Sequence, residues 1–144
     1  MLERKIQFLV EWFNLKKKLI SLFFQKPSEY QRMPFCKTGD MYYAYLGVNI
    51  GNEIDKKRPV LVYQSRKMLT SHLVLVIPIT SKIKNGIFHV LFETNDIIGK
   101  KIDPGTMLID QMRIISKQRL ENKIGVISKE KIMQVKGVVQ KILP

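Results

Sequence analysis

The side chains able to do chemistry in this 144-residue chain are few, and most of them are basic. Cys36 is the only cysteine, and His72 and His89 are the only histidines. Three such residues at these spacings make no metal-ligand pattern, so no metal and no cofactor is expected. A Cys36–His pair could act as nucleophile and base, but no local signature surrounds the cysteine. His72 and His89 are candidates for an acid–base pair. His89 lies in an apolar run, which equally suits a hydrogen-bonded structural histidine. Tyr42, Tyr43 and Tyr45 offer faces on which unpaired bases stack, and alternate aromatics on one strand equally suit a core. Twenty-five Lys and Arg against 12 Asp and Glu leave a formal charge of +13. A field of that sign attracts polyanions, nucleic acid above all, with an anionic membrane or an acidic protein as other partners. A Lys-rich solvated surface gives the same count.

Two segments of different character must position these groups. Residues 1–26 contain neither Gly nor Pro. Leu2, Ile6, Leu9 and Phe13 recur at helical spacing, and Phe8, Trp12, Leu15, Leu19 and Leu22 form an adjacent stripe. A helix is predicted there, interrupted by Lys16, Lys17 and Lys18, with a break near Asn14 and Leu15 as the alternative. Pro27 ends it, and Pro27, Ser28 and Pro34 make residues 27–38 a linker. From Gly39 onward the pattern is one of short strands, predicted over residues 40–46, 58–64, 73–79, 87–93, 106–109 and 113–115. The continuous apolar run of residues 73–79 suits a strand buried on both faces. Asn85-Gly86 is a hairpin-type signal and Pro104-Gly105 a turn signal. A last helix is predicted over residues 128–142, with Ser128 as its N-cap. The expected fold class is α+β and mainly β: a small barrel or sandwich with helices at both ends. The expected division is an N-terminal helix and linker (1–38) followed by one barrel domain (39–144).

The strand region resembles the MazF/PemK toxin family over about residues 39–142. The resemblance is carried by Gly39-Asp40 with Tyr43-Ala44 and Leu46, then Gly51-Asn52-Glu53, then Arg58-Pro59-Val60-Leu61-Val62. Pro78-Ile79-Thr80-Ser81, His89-Val90, Asp110-Gln111-Met112-Arg113-Ile114, Leu120 and Ile124-Gly125 follow in the family's order. It implies a compact SH3-like β-barrel, usually a homodimer, and a sequence-selective endoribonuclease held silent by a cognate antitoxin. Family members commonly carry small, Gly-rich residues just before the signature arginine, where Asp55, Lys56 and Lys57 stand here. Residues 1–38 have no counterpart in a typical short member.

The resemblance also implies a chemistry. RNA is cut without metal when the 2′-hydroxyl attacks its own phosphate and the 5′-oxygen leaves. Arg58 and Thr80 match the family's catalytic Arg and Thr/Ser positions. A guanidinium binds two phosphate oxygens and stays charged, which suits charge stabilisation and rules it out as a general base. The Thr80 hydroxyl can hydrogen-bond a phosphate oxygen or relay a proton. Asn52 and Glu53 fall in the loop expected to cover the RNA, with Glu53 accepting from a base edge, orienting Arg58, or simply solvated. Lys56, Lys57, Ser81 and Lys82 complete the expected RNA contacts. Gln111 and Arg113 belong to the same set, Gln111 as a partner for backbone groups and Arg113 at the substrate rim. Lys100 and Lys101 lie in another loop and are expected to matter less.

Two other functions fit the same residues. One is a non-enzymatic toxin or nucleic-acid binder on the same barrel, such as a topoisomerase poison or an inactive homologue. The other is an interaction protein whose basic N-terminal helix meets a membrane. That helix has three destinations: its own barrel or a dimer mate, a lipid interface, or an antitoxin groove. No stretch approaches ~18 uninterrupted apolar residues, and no small-residue cleavage site follows an apolar run. With one cysteine, the expected compartment is the cytoplasm.

Overall fold

The computed structural model describes residues 1–25 and 33–144, and the helix stop expected at Pro27 and the start of the expected linker lie outside the described residues. In chain order the elements are α1 (Leu2–Gln25), β1 (Asp40–Tyr45), β2 (Lys57–Val62), β3 (Leu73–Thr80) and β4 (His89–Phe92). They continue with β5 (Ile97–Gly99), β6 (Gly105–Leu108), β7 (Arg113–Ser116), β8 (Leu120–Ile127) and α2 (Lys129–Ile142). The strands form one curled antiparallel sheet, a half-barrel, in the order β4-β6-β3-β2-β1-β8-β5, with β7 paired to β3.

The pleat sorts side chains into two cores. Met41, Leu61, Ile77 and Ile79 gather with Val90, Phe92, Met107 and the inward face of α2, Val135 and Val138. Their sequence neighbours Tyr42, Ala44, Val60, Val62, Val74 and Val76 point the other way, onto Cys36, Leu46 and Ile115. Strands β1 to β3 are therefore covered on both faces, which is why β3 reads as an unbroken apolar run. Ser128 caps α2 as predicted, its Oγ accepting from the Lys131 amide at 3.3 Å.

Two signals led elsewhere. Asn85-Gly86 joins no hairpin: β3 and β4 are not partners, and β6 lies between them. The Gly86 carbonyl instead closes a turn onto the His89 amide at 3.2 Å. Gly105 is the first residue of β6, extended rather than turned, and a Cβ there would collide with the Thr80 carbonyl oxygen. Its need for glycine is close approach of β6 to β3. The sequence pattern missed β5, which is three residues long, and β8, whose Glu121, Asn122 and Lys123 hide an inward Ile124 and Ile127.

The N-terminal helix runs unbroken through Asn14, Leu15 and the three lysines. Its two apolar stripes part company. Phe8, Trp12, Leu15, Leu19 and Leu22 are half-buried, whereas Leu2, Ile6, Leu9 and Phe13 are exposed. Trp12 lies against Gly47, where an added Cβ would come within 2.9 Å of the indole, and Arg119 stacks on the indole with Cζ 5.2 Å from the ring centre. The Gln118 side chain donates through Nε2 to the Leu19 carbonyl at 3.1 Å. Of the three destinations, the structure places one stripe of α1 on its own half-barrel.

Candidate functional site

Arg58 and Thr80 reach the same place from neighbouring strands. Strands β2 and β3 pair as Val60↔Pro78, Leu61↔Ile77 and Val62↔Val76. The same register carried two residues further sets Arg58 opposite Thr80. Direct partners of this kind hold their Cβ atoms roughly 4.5–5.5 Å apart in a closed ladder. Here the ladder ends at Val60, and the strands part around a cavity of ≈ 380 Å³ lined by both residues. Local sequence explains the opening. Pro59 lacks the N–H that would bond Ile79 and prolong the pairing, and Pro78 lacks one on the opposite edge, where β3 changes partner from β7 through Val76 to β6 from Ile79.

Each side chain is held by a few bonds. Arg58 is half-buried and its Nε donates to the Asp55 carbonyl at 3.0 Å, which leaves the terminal fork uncommitted by that bond. Thr80 is 5% exposed, and its Oγ1 accepts from the Lys82 amide at 3.3 Å. Thr106 ties the same turn, donating to the Lys82 carbonyl at 2.8 Å and accepting from the Lys84 amide at 3.0 Å. Ser81, Lys57, Tyr43, Lys101 and Asp103 complete the polar lining. Three cationic residues, Lys57, Arg58 and Lys101, thus share the lining with one carboxylate, Asp103, the Lys101 ammonium donating to the Ile97 carbonyl at 2.6 Å. Lys57 is paired with Glu121 at 2.8 Å; that bond, first, and the Tyr45 hydroxyl after it hold the Glu121 carboxyl below its ordinary range. The Lys57 ammonium also lies 5.4 Å from the Tyr43 ring centre.

Other expected residues assemble elsewhere. Asn52, Glu53, Gln111 and Arg113 line a separate cleft of ≈ 550 Å³ together with Asn49 and Asp110. Gln111 is bound to the covering loop itself: its Oε1 accepts from the Ile54 amide at 2.6 Å and its Nε2 donates to the Asn52 carbonyl at 3.2 Å. The loop therefore opens on this cleft at Asn52 and ends on the Arg58 cavity. The Asp55 carbonyl, not Glu53, orients Arg58. Lys56 lines neither cavity; its ammonium sits 4.6 Å over the Phe8 ring of α1. Lys82 is exposed beside Thr80.

The remaining candidates lie at several different places in the fold. Lys101 lines the Arg58 cavity, because the pairing Thr80↔Thr106 draws the segment before β6 onto the end of β3. Asp103 arrives by the same route, and no local sequence feature marks either residue. His89 is held on one side only: Nε2 lies 3.5 Å from Asp110, while Nδ1 is buried with no protein hydrogen-bond partner. His72 lies at the foot of β3 and lines neither cleft. Cys36 is fully buried, its Sγ donating to the Pro34 carbonyl at 3.6 Å. Burial pushes its thiol above the ordinary range. Of the tyrosines, Tyr42 belongs to the core and Tyr43 to the cavity wall.

A curled antiparallel half-barrel closed by a C-terminal helix is the fold of the MazF-type toxins. MazF from Deinococcus radiodurans superposes with a TM-score of 0.63 at 21% identity, covering 74% of this chain and 94% of that one. An endoribonuclease from a mycobacterial species gives 0.62 at 14% identity, covering 78% and 94%. A mycobacterial endoribonuclease in complex with its cognate antitoxin gives 0.60 at 15%, covering 74% and 95%. No curated protein sequence matches the chain significantly. Residues 37–143 match the family described as PemK-like, MazF-like toxin of type II toxin-antitoxin system, and the chain belongs to that family. The match begins downstream of α1.

Proposed function

We propose that this protein is a toxin-type endoribonuclease that cuts single-stranded RNA sequence-selectively and without metal. The reading extends to a cytoplasmic homodimer, with the barrel domain at 39–144, silenced by a cognate antitoxin. The observation that carries it is that Arg58 and Thr80 line one cationic cavity, just beyond the last pair of the β2–β3 ladder. A solved relative bound to its antitoxin supports the partner.

The side chains divide the work. Phosphate enters between Arg58, Lys57 and Lys101. The 2′-oxygen forms its bond to phosphorus as the bond to the 5′-oxygen breaks, and the guanidinium fork meets the charge that develops on the phosphorane. Asp103, the carboxylate of the cavity wall, accepts the 2′-hydroxyl proton. The 5′-oxygen takes a proton from water or through the Thr80 hydroxyl. Tyr43 presents a face for an adjacent base. The nucleophile is the substrate's own hydroxyl, so the scheme needs no metal-bound water.

The test is incubation of the purified protein with single-stranded RNA in EDTA. The expected products carry a 2′,3′-cyclic phosphate and a 5′-hydroxyl. Arg58→Ala is expected to lose roughly 10²–10³ in rate while remaining folded. Equal cleavage by wild type and variant would sink the assignment and favour a non-enzymatic binder on the same fold.

A further inference from the structure

The loop that ends at Arg58 has a second anchor, supplied by a helix outside the family match. Within residues 47–57, Gly47, Gly51 and Lys56 have positive φ, of 87°, 61° and 69°. Lys56 is the one side-chain-bearing residue with positive φ among the described residues. An L-residue does not settle there without support, because its Cβ crowds the backbone. The support comes from both sides. The Lys56 amide donates to the Gly47 carbonyl at 2.7 Å, and its carbonyl accepts from the Leu46 amide at 2.8 Å. Its ammonium lies over Phe8 of α1.

Other residues of α1 grip the same loop. Trp12 fills the space over Gly47 that a side chain would occupy. Lys5 is ion-paired with the Asp55 carboxylate. The Asp55 carbonyl in turn accepts from Arg58 Nε. A continuous path of contacts therefore runs from α1 through Asp55 and Lys56 to the guanidinium. Phe8, Trp12 and Leu15 with Gly47, Val48 and Lys56 enclose a groove of ≈ 250 Å³, so the helix rests on the loop without closing the Arg58 cavity.

We infer that α1 is a built-in clamp on this loop, with Lys5, Phe8 and Trp12 as positioning residues for Arg58. The inference rests on the ribonuclease reading only for its effect on rate. Removing a clamp residue frees the loop and blurs the placement of a group that acts on the transition state, so kcat falls more than KM rises.

The experiment compares the full-length protein with Lys5→Ala, Lys5→Arg, Phe8→Ala, Trp12→Ala, Lys56→Gly and the double variant Phe8→Ala/Lys56→Gly. Two quantities are read: hydrogen exchange at the Leu46 and Lys56 amides, and kcat and KM for RNA. Phe8→Ala and Trp12→Ala are expected to speed exchange at both amides and lower kcat about tenfold, with KM changed less than about threefold. Lys5→Ala is expected to act in the same direction, and Lys5→Arg to restore the rate. The Lys56→Gly substitution removes both the strained conformation and the cation over Phe8. The cost of Phe8→Ala in that background is therefore expected to shrink by about threefold or more. Unchanged exchange and kcat in Phe8→Ala and Trp12→Ala would overturn the clamp, as would an undiminished Phe8→Ala effect in the Lys56→Gly background. A wild type that cuts no RNA would overturn the ribonuclease reading alone, and amide exchange would still decide the clamp.

Discussion

At the scale of single residues, the cavity separates groups that carry charge from groups that move protons. Arg58 stays ionised at any working pH and cannot serve as base, whereas Asp103 sits in the same lining with an acceptor to offer. Asp103→Asn keeps the shape and removes the base. It is expected to lower kcat by about 10²-fold while sparing KM, measured on a defined RNA substrate. Equal kcat would return proton abstraction to water. A second prediction concerns Cys36 and Tyr42, which touch in the core. Burial, chiefly, raises both groups above their ordinary values of 9.0 and 10.0. The folded state therefore holds these protons more tightly than the unfolded state. The stability they confer is complete below the ordinary values and is lost as pH climbs past them. Thermal melts from about pH 8 to about pH 11 are expected to show a falling midpoint, and Tyr42→Phe is expected to flatten that fall.

Among the elements, β3 does most to build the site. It pairs with β2 on one edge and with β7 and then β6 on the other, and Thr80 sits where the change from β7 to β6 is complete. The close packing of β6 there depends on Gly105 having no side chain. Gly105→Ala is expected to push β6 off the end of β3, destabilise the fold by about 1–3 kcal/mol and displace Thr80, Lys101 and Asp103 together. Chemical denaturation measures the first effect and RNA cleavage the second. A variant of unchanged stability and rate would show that the strands can shift to admit a methyl group. Gly47 makes a comparable demand, with the neighbour here an indole from α1 instead of a backbone.

On the scale of the whole molecule, the charge of +13 governs what the protein attracts from a distance. Lys57, Arg58 and Lys101 concentrate part of it at the cavity. RNA affinity is expected to fall steeply as salt rises, each phosphate contact contributing about 0.7 to the log–log slope for a single strand. Lys101→Ala is expected to reduce that slope by about one contact's worth. A slope that is flat, or unaffected at Lys101, would point to a partner other than RNA. The exposed stripe of Leu2, Ile6, Leu9 and Phe13 remains on the outside of α1. No helix among the described residues is long and apolar enough to cross a membrane.

Local pattern alone determined much of this protein. The helical spacing of residues 2–25, the apolar run of β3, the Ser128 cap and the positive charge depend on near neighbours or on composition, so they are legible without coordinates. The order of motifs around Arg58 and Thr80 carried the family. Tertiary structure decided what depends on pairing across long separations. It split one wide apolar face of α1 into a packed stripe and an exposed one, because contact with the 47–57 loop and with Arg119 distinguishes Trp12 from Phe13. It divided most of the expected RNA-binding residues between two clefts and left Lys56 and Lys82 out of both, because the covering loop opens on one and ends on the other. It brought Lys101 and Asp103 to Thr80 through the β3–β6 ladder, a contact between segments distant in the chain that no periodicity records.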